Sequence, residues 1–292
     1  MKFGDKIPFE SATVVSAVGN SPNAAVSAAR LGLSSALLSD VGGDMYGSEC
    51  LNTLKREKVS TRYMTVHRAM KTNYHYVLWY GNERTILVNH EEYPRKFPNI
   101  SRPRYMYLSS LGSNSESYHN DLADYLAKNS DVKLAFQPGT FQMKLGYERL
   151  KRIYERTAIF FCNKEEAQRI LDSAEEDPKK LMDMLHAKGP KIVVMTDGPK
   201  GAYAYDGTTA YFMPTYPDPK PPFERTGAGD AFSSTLTVAL ALGKSLEEAL
   251  TWAPINSASV VQHIGAREGL LTQKELLEWL AKAPADYKPR KI

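Results

Sequence analysis

Short apolar runs recur along the chain, separated by stretches whose apolar positions fall three and four apart. The runs "ATVVSAV" (12–18), "SALLSDVGGD" (35–44), "YMYLSS" (105–110), "VKLAFQ" (132–137), "AIFFC" (158–162) and "KIVVMT" (191–196) predict strands, the second closing in a glycine turn. The helical rhythm predicts helices over "NAAVSAARLG" (23–32), with Ser21 as N-cap and Pro22 in the first turn, and over "MYGSECLNTLKREKV" (45–59). Further helices are predicted over 116–128, 146–155, 164–172, 177–188, 227–242, 245–262 and 273–281. Two segments depart from the alternation. Residues 72–89, "TNYHYVLWYGNERTILVN", predict a hairpin about Gly81-Asn82, and "AYAYDGTTAYFM" predicts another about Asp206-Gly207. The closing "KAPADYKPRKI" is expected to be a mobile tail. Strand–helix alternation implies an α/β fold, a mostly parallel central sheet covered by helices on both faces. The hairpin-rich part near the N-terminus would form a small β lid on a single domain spanning 1–292.

Composition narrows the function classes. Of 292 residues, 42% are hydrophobic and 24% charged, enough to bury a large core. The net charge is +4 without a Lys/Arg block, which gives a nucleic-acid or membrane partner no support. No apolar run reaches the length of a membrane span, and residues 1–20 carry no signal-peptide core. Cys50 and Cys162 are the only cysteines, which argues against a disulfide framework or a Cys-rich zinc site and fits a reducing, cytoplasmic setting. The six histidines are scattered without metal-ligand spacing.

The candidate chemistry lies in "ERTGAGDAFSSTL", residues 224–236. Gly227, Ala228 and Gly229 lead into Asp230 at the start of an apolar helix. Such a turn exposes backbone N–H groups, and the helix N-terminus adds positive partial charge, so an anion suits it. A phosphoryl group gaining charge during transfer is the anion that profits most. Asp230 in the first turn can take a proton from a substrate hydroxyl beside it. A plain helix start with a dipole-favourable acid has the same local sequence. Asn163 ends a predicted strand at the edge where α/β ligands bind. Glu166 follows within one helical turn.

The stretch resembles the active-site motif of the ribokinase-like (PfkB) carbohydrate kinases, D-T-T-G-A-G-D-A-F, and the resemblance runs along nearly the whole chain. "GNSPNAAVSAARLG" is similar to the family's sugar-binding segment, placing Gly19, Asn20 and Asn23 on the acceptor. "LLSDVGGDMYGSECLNTLKREKVST" is similar to the segment that follows it. "NKEEAQRIL" matches N-x-x-E, which puts Asn163 beside the nucleotide and Glu166 on Mg²⁺ through its waters. "TDGPKGAYAYDG" resembles the nucleotide loop, with Thr196, Gly198 and Gly201 in matching places. "INSASVVQHIGAREG" resembles the helix bordering adenine, which assigns Asn256 to ATP, as the motif assigns Thr226. The resemblance implies ATP-dependent phosphorylation of a sugar or sugar-like alcohol, with Asp230 as base and Gly227, Ala228 and Gly229 as anion hole. Nucleoside phosphorylation, or non-catalytic binding on the same fold, are the alternatives. Lid elements are expected within about 8–19 and 72–92, where dimeric relatives associate.

Three departures stand out. Glu224-Arg225 replaces Asp-Thr, at a place where several members hold a monovalent cation. The Glu224 carboxylate is the candidate K⁺ ligand, and Arg225 opposes it. Thr235 replaces a common glycine. The family's first strand, with an Asp on substrate hydroxyls, has no convincing counterpart ahead of "MKFGDKIPFESATVVSAVG", and Asp5 does not replace it.

Overall fold

The computed structural model describes residues 4–80 and 83–292. The chain begins with α1 (Asn20–Arg30), β1 (Ser35–Gly42), α2 (Met45–Arg56), β2 (Val59–His67), β3 (Tyr74–Tyr80) and β4 (Glu83–Asn89). It continues with β5 (Tyr105–Leu108), α3 (Glu116–Lys128), β6 (Lys133–Phe136), α4 (Thr140–Arg156), β7 (Thr157–Asn163), α5 (Lys164–Leu171), α6 (Pro178–His186) and β8 (Ile192–Thr196). It closes with β9 (Ala202–Tyr205), β10 (Ala210–Met213), α7 (Ala228–Ala241), α8 (Leu246–Val260), α9 (Gln273–Ala281) and β11 (Arg290–Lys291). A seven-stranded sheet runs in the order β11-β10-β9-β8-β7-β6-β5. Its β5–β8 portion is parallel and its β8–β11 portion antiparallel.

Alternation along the central strands explains the three layers. Ala135, Ile159, Phe161 and Val194 face one way and pack with Phe232, Leu236 and Trp252 of α7 and α8. Leu134, Phe136, Phe160, Val193 and Met195 face the other way, onto Leu122 and Leu126 of α3, Ile153 of α4 and Leu181 of α6. Strands buried on both faces read as continuous apolar runs, which is why the sequence displays them clearly. Among the described residues no helix is long and apolar enough to cross a membrane.

Four expectations need correction. Residues 12–18 form no strand: the segment runs across the surface with Val14 62% exposed, and Ala17 takes a left-handed φ of 54°. Apolar alternation makes a strand only where a neighbouring edge offers hydrogen bonds. Here Arg267 takes the carbonyls of Ser16 and Ala17 instead, at 2.6 and 3.2 Å. The predicted 45–59 helix stops at Arg56, and Val59 opens β2, which pairs in parallel with β1 in a separate two-stranded sheet. The first helix begins at Asn20, one residue after Gly19, so Ser21 lies inside it and caps nothing. The tail is docked: Tyr287 is buried with its hydroxyl donating to the Thr251 carbonyl at 2.7 Å, and β11 pairs with β10.

The early hairpin is β3–β4, paired from Tyr74↔Asn89 to Tyr80↔Glu83. Its predicted turn at Gly81-Asn82 lies outside the described residues. The other predicted hairpin turns at Asp206, whose carboxylate accepts from the Thr208 and Thr209 amides.

Candidate active site

Two of the predicted site residues stand at the carboxyl ends of neighbouring parallel strands. Asn163 closes β7 and Thr196 closes β8, side by side in register. Asn163 caps α5 by accepting from the Glu166 amide, and the Glu166 carboxylate accepts from the Asn163 amide, each at 2.8 Å. This reciprocal pair satisfies two helix-start donors and fixes where Glu166 points. Burial pushes the Glu166 carboxyl up, the Asn163 amide pulls it down, and the charge of Asp230 adds to the rise. Gly198 follows Thr196 on an exposed turn with open space at its α-carbon. Gly201 is different. A side chain there would meet the Met213 carbonyl oxygen at 2.6 Å and the Phe212 ring, so close packing on β10 requires the glycine.

Gly227 caps α7 in the left-handed region, φ 82°. A β-carbon at Gly227 would come within 2.3 Å of Ala266, so both backbone angle and space demand glycine. The turn it makes brings Ala228, Gly229 and Asp230 to the head of the helix, where their N–H groups have no intrahelical acceptor. Gly229 is exposed and presents backbone alone. Ser257 of α8 donates to the Ala228 carbonyl at 2.7 Å and braces this turn. Thr226 and Glu224 precede it on the loop. The Glu224 carboxylate accepts from the Gly265 amide at 2.6 Å, tying the loop to the segment after α8.

Asp230 is only 8% exposed. One carboxylate oxygen accepts from Asn20 Nδ2 at 2.8 Å, the other from Asn23 Nδ2 at 2.9 Å. Gln137, directly after β6, offers Nε2 to the first oxygen at 3.4 Å. Desolvation drives the Asp230 carboxyl above its usual range, and the bonds from Asn23, Asn20 and Gln137 oppose that rise. The two asparagines expected to face the acceptor thus hold the acid. Asn23 still has its buried Oδ1 without a hydrogen-bond partner among the described residues. Gly19, φ 128°, starts the helix that carries them and lies exposed beside the cleft.

Asn256 does not reach the crevice. It is wholly buried, donating to the Thr235 hydroxyl at 2.8 Å and accepting from the Leu271 amide at 2.9 Å. Its amide joins α7, α8 and the strap before α9, and its partner on α7 is Thr235, the residue standing in place of a glycine. Gln137 and Tyr107 were missed. The Tyr107 hydroxyl donates to Gln137 Oε1. One signal was available: Gln137 is a polar residue ending an apolar strand, as Asn163 is. The hairpin meets the site loop where Trp79 packs against Phe223, ring centroids 5.8 Å apart.

A buried carboxylate at a helix N-terminus, beside exposed amides and strand ends, can accept a proton next to a bound anion. Among the described residues no cluster of three His, Cys, Asp or Glu could cage a metal.

Known proteins agree with this architecture. Residues 4–273 match the family described as pfkB family carbohydrate kinase. A ribokinase of Mus musculus is 28% identical over 272 residues, covering 88% of this chain and 82% of its own. A cytidine kinase of Thermococcus kodakarensis is 37% identical over 99 residues, 34% of this chain and 35% of its own. The structure of Arabidopsis thaliana ribokinase complexed with ribose and ATP superposes with a TM-score of 0.80 at 21% identity, covering 94% of this chain and 93% of that one. The chain belongs to the pfkB family of carbohydrate kinases.

Proposed function

We propose that the protein transfers the γ-phosphoryl group of ATP to a hydroxyl of a sugar or sugar-like alcohol. Asp230 is the weightiest observation: a carboxylate 8% exposed, in the first turn of a helix whose Ala228 amide makes only a long bond, 3.4 Å, to the Arg225 carbonyl. Asp230 takes the hydroxyl proton as the oxygen attacks the γ-phosphorus, and ADP leaves. The amides of Ala228, Gly229 and Asp230, with the dipole of α7, stabilise the charge gathering on the phosphoryl oxygens. Asn20 and Asn23 keep the carboxylate aimed, and Asn23 Oδ1 is placed to accept from an acceptor hydroxyl. Asn163, Thr196 and Gly198 border the nucleotide. Mg²⁺ bound with ATP supplies charge neutralisation, and Glu166 would orient its waters. Glu224 holds the Gly265 amide and so ties the loop to the segment after α8.

The match to a cytidine kinase over 99 residues favours a second acceptor class, a nucleoside, on the same machinery. Measuring ADP release across a panel of sugars and nucleosides decides between them. ADP formed with no member of the panel, alongside retained ATP binding, would leave a non-catalytic binder as the reading.

A further inference from the structure

Asp230 is held by side chains from three separate elements. Asn20 and Asn23 come from α1, while Gln137 comes from the end of β6. An amide has unlike ends. With Nε2 toward Asp230, Gln137 donates to the carboxylate; turned over, it would set its own oxygen against an anion. Something must choose. The Gln137 amide N–H donates to the Leu108 carbonyl at 2.9 Å, which fixes the backbone but not the side chain. The Asp230 carboxylate, which only accepts, favours the amino end, and Tyr107 of β5 holds the other end in place by donating its hydroxyl to Oε1.

We propose that Tyr107 is a positioning residue for the base: it anchors the carbonyl end of the Gln137 amide so that the amino end faces Asp230. The assignment rests on Asp230 being the base of the phosphoryl transfer described above. Tyr107 is suited to this. Burial, and after it the negative charge of Asp230, hold its phenol well above the usual range, so it remains an O–H donor. The groups facing the Asp230 carboxylate are Asn20 and Asn23 of α1, Gln137 after β6, the Tyr107 phenol of β5 and, at longer range, the Glu166 carboxyl of α5. Those of α8 that brace α7, Asn256 and Ser257, are neutral. The acid therefore depends on oriented amides for its charge, and one of the amides depends on Tyr107.

The test reads the Asp230 carboxyl directly. Carbon-13 NMR of the aspartate-labelled protein gives its titration, assigned by the signal lost in Asp230→Asn, and needs no turnover. Removing a donor to the charged form raises a carboxyl pKa. Tyr107→Phe should move the midpoint up by about half a unit, and Gln137→Leu by about one unit. The acidic limb of kcat/KM should move with them. The double variant should titrate like Gln137→Leu alone, because Tyr107 acts through Gln137. Gln137→Glu keeps the tyrosine and adds a second carboxylate, so it should shift the midpoint further than Gln137→Leu does. An unmoved midpoint in Tyr107→Phe, additive shifts in the double variant, or a smaller shift for Glu than for Leu would each overturn the proposal. A tyrosine that mattered only for packing would lower the melting temperature and leave the midpoint in place. Wild-type protein that forms no ADP with any acceptor would overturn the kinase reading, and the carboxyl titration would still decide the role of Tyr107.

Discussion

Replacing Asp230 with Asn exchanges one oxygen for an NH₂ and removes the charge, at a position only 8% exposed. The fold should accept the exchange. In the native site Asn20 and Asn23 each donate to a different carboxylate oxygen, at 2.8 and 2.9 Å. Asn23 also has a buried Oδ1 that lacks a partner among the described residues. Turning the Asn23 amide over offers that oxygen to the new Nδ2, so no donor is forced to face a donor. The charge removed is one that burial disfavours, since desolvation holds the Asp230 carboxyl above its usual range. A folded carboxyl with a raised pKa retains its proton where the unfolded chain has lost it. Native stability therefore falls as pH rises from the unfolded carboxyl's range through the folded one, and stays lower above it. At neutral pH Asp230→Asn should melt at or above the wild-type temperature, and the gain should vanish in acid below the ordinary aspartate range. Turnover should move the opposite way. Loss of a general base costs about 10²–10⁴ in rate, or about 2.7–5.5 kcal/mol of barrier. A coupled ADP assay measures the rate, calorimetry the ATP affinity, which should be little changed, and scanning fluorimetry the Tm from pH 3 to 8. Turnover within about threefold of wild type would refute the assignment of the base. A Tm several degrees lower at neutral pH would refute the account of a disfavoured buried charge.

Glu166→Gln should raise the Mg²⁺ concentration needed for half-maximal rate without lowering Tm, because Gln can still accept from the Asn163 amide and preserve the cap; an unchanged Mg²⁺ titration would sink the metal role. The β3–β4 hairpin exposes Tyr76 (59%) and Leu87 (52%) on one face and Val77 (48%) and Ile86 (43%) on the other, so it should be covered by a second copy of the chain. Light scattering should give twice the chain mass, and Tyr76→Lys with Leu87→Lys should halve it; a strict monomer at high concentration would dispose of the idea. Tyr287→Ala should cost about 3–5 kcal/mol by chemical denaturation, since it empties a buried aromatic site and drops the bond to Thr251, whereas a merely trailing tail would lose nothing.

What the sequence displayed and what it hid follow from the range of the interactions involved. Strands buried on both faces, such as β6, β7 and β8, advertise themselves as apolar runs. Residues 12–18 carry the same signal and form no strand, because pairing needs an edge and Arg267, far along the chain, takes two of their carbonyls. The tail looked mobile since one aromatic in a polar stretch says nothing of the pocket between α8 and α9 that receives it; Tyr287 packs against Tyr216, which bonds to Trp279. Glycines were legible at Gly227, where backbone angle and the nearness of Ala266 both demand one. Gly201 meets the same two demands, a φ of 110° and the nearness of the Met213 carbonyl on β10.

The asparagines sharpen this point. Asn163 and Asn256 both stand in motifs that resemble nucleotide-site segments; Asn256 bonds both ends of its amide within the protein, and Asn163 accepts from the Glu166 amide through its oxygen. Yet Asn163 ends a parallel strand at the sheet's carboxyl edge, a position topology alone sends to the cleft. Asn256 sits mid-helix, where a rotation of 100° per residue decides between cleft and core, and no local feature fixes that rotation. The same holds around the acid. The place of Asp230 follows from a turn of adjacent residues, so the sequence could name it. The hydrogen bonds around its carboxylate come from Asn20, Asn23 and Gln137, with Tyr107 behind Gln137, contributed by α1, β5 and the end of β6. A buried carboxylate without oriented donors would hold its proton and could not accept one. The chemistry of the site therefore resides as much in those distant amides as in the motif, and single substitutions outside the motif should move the pH at which the enzyme works.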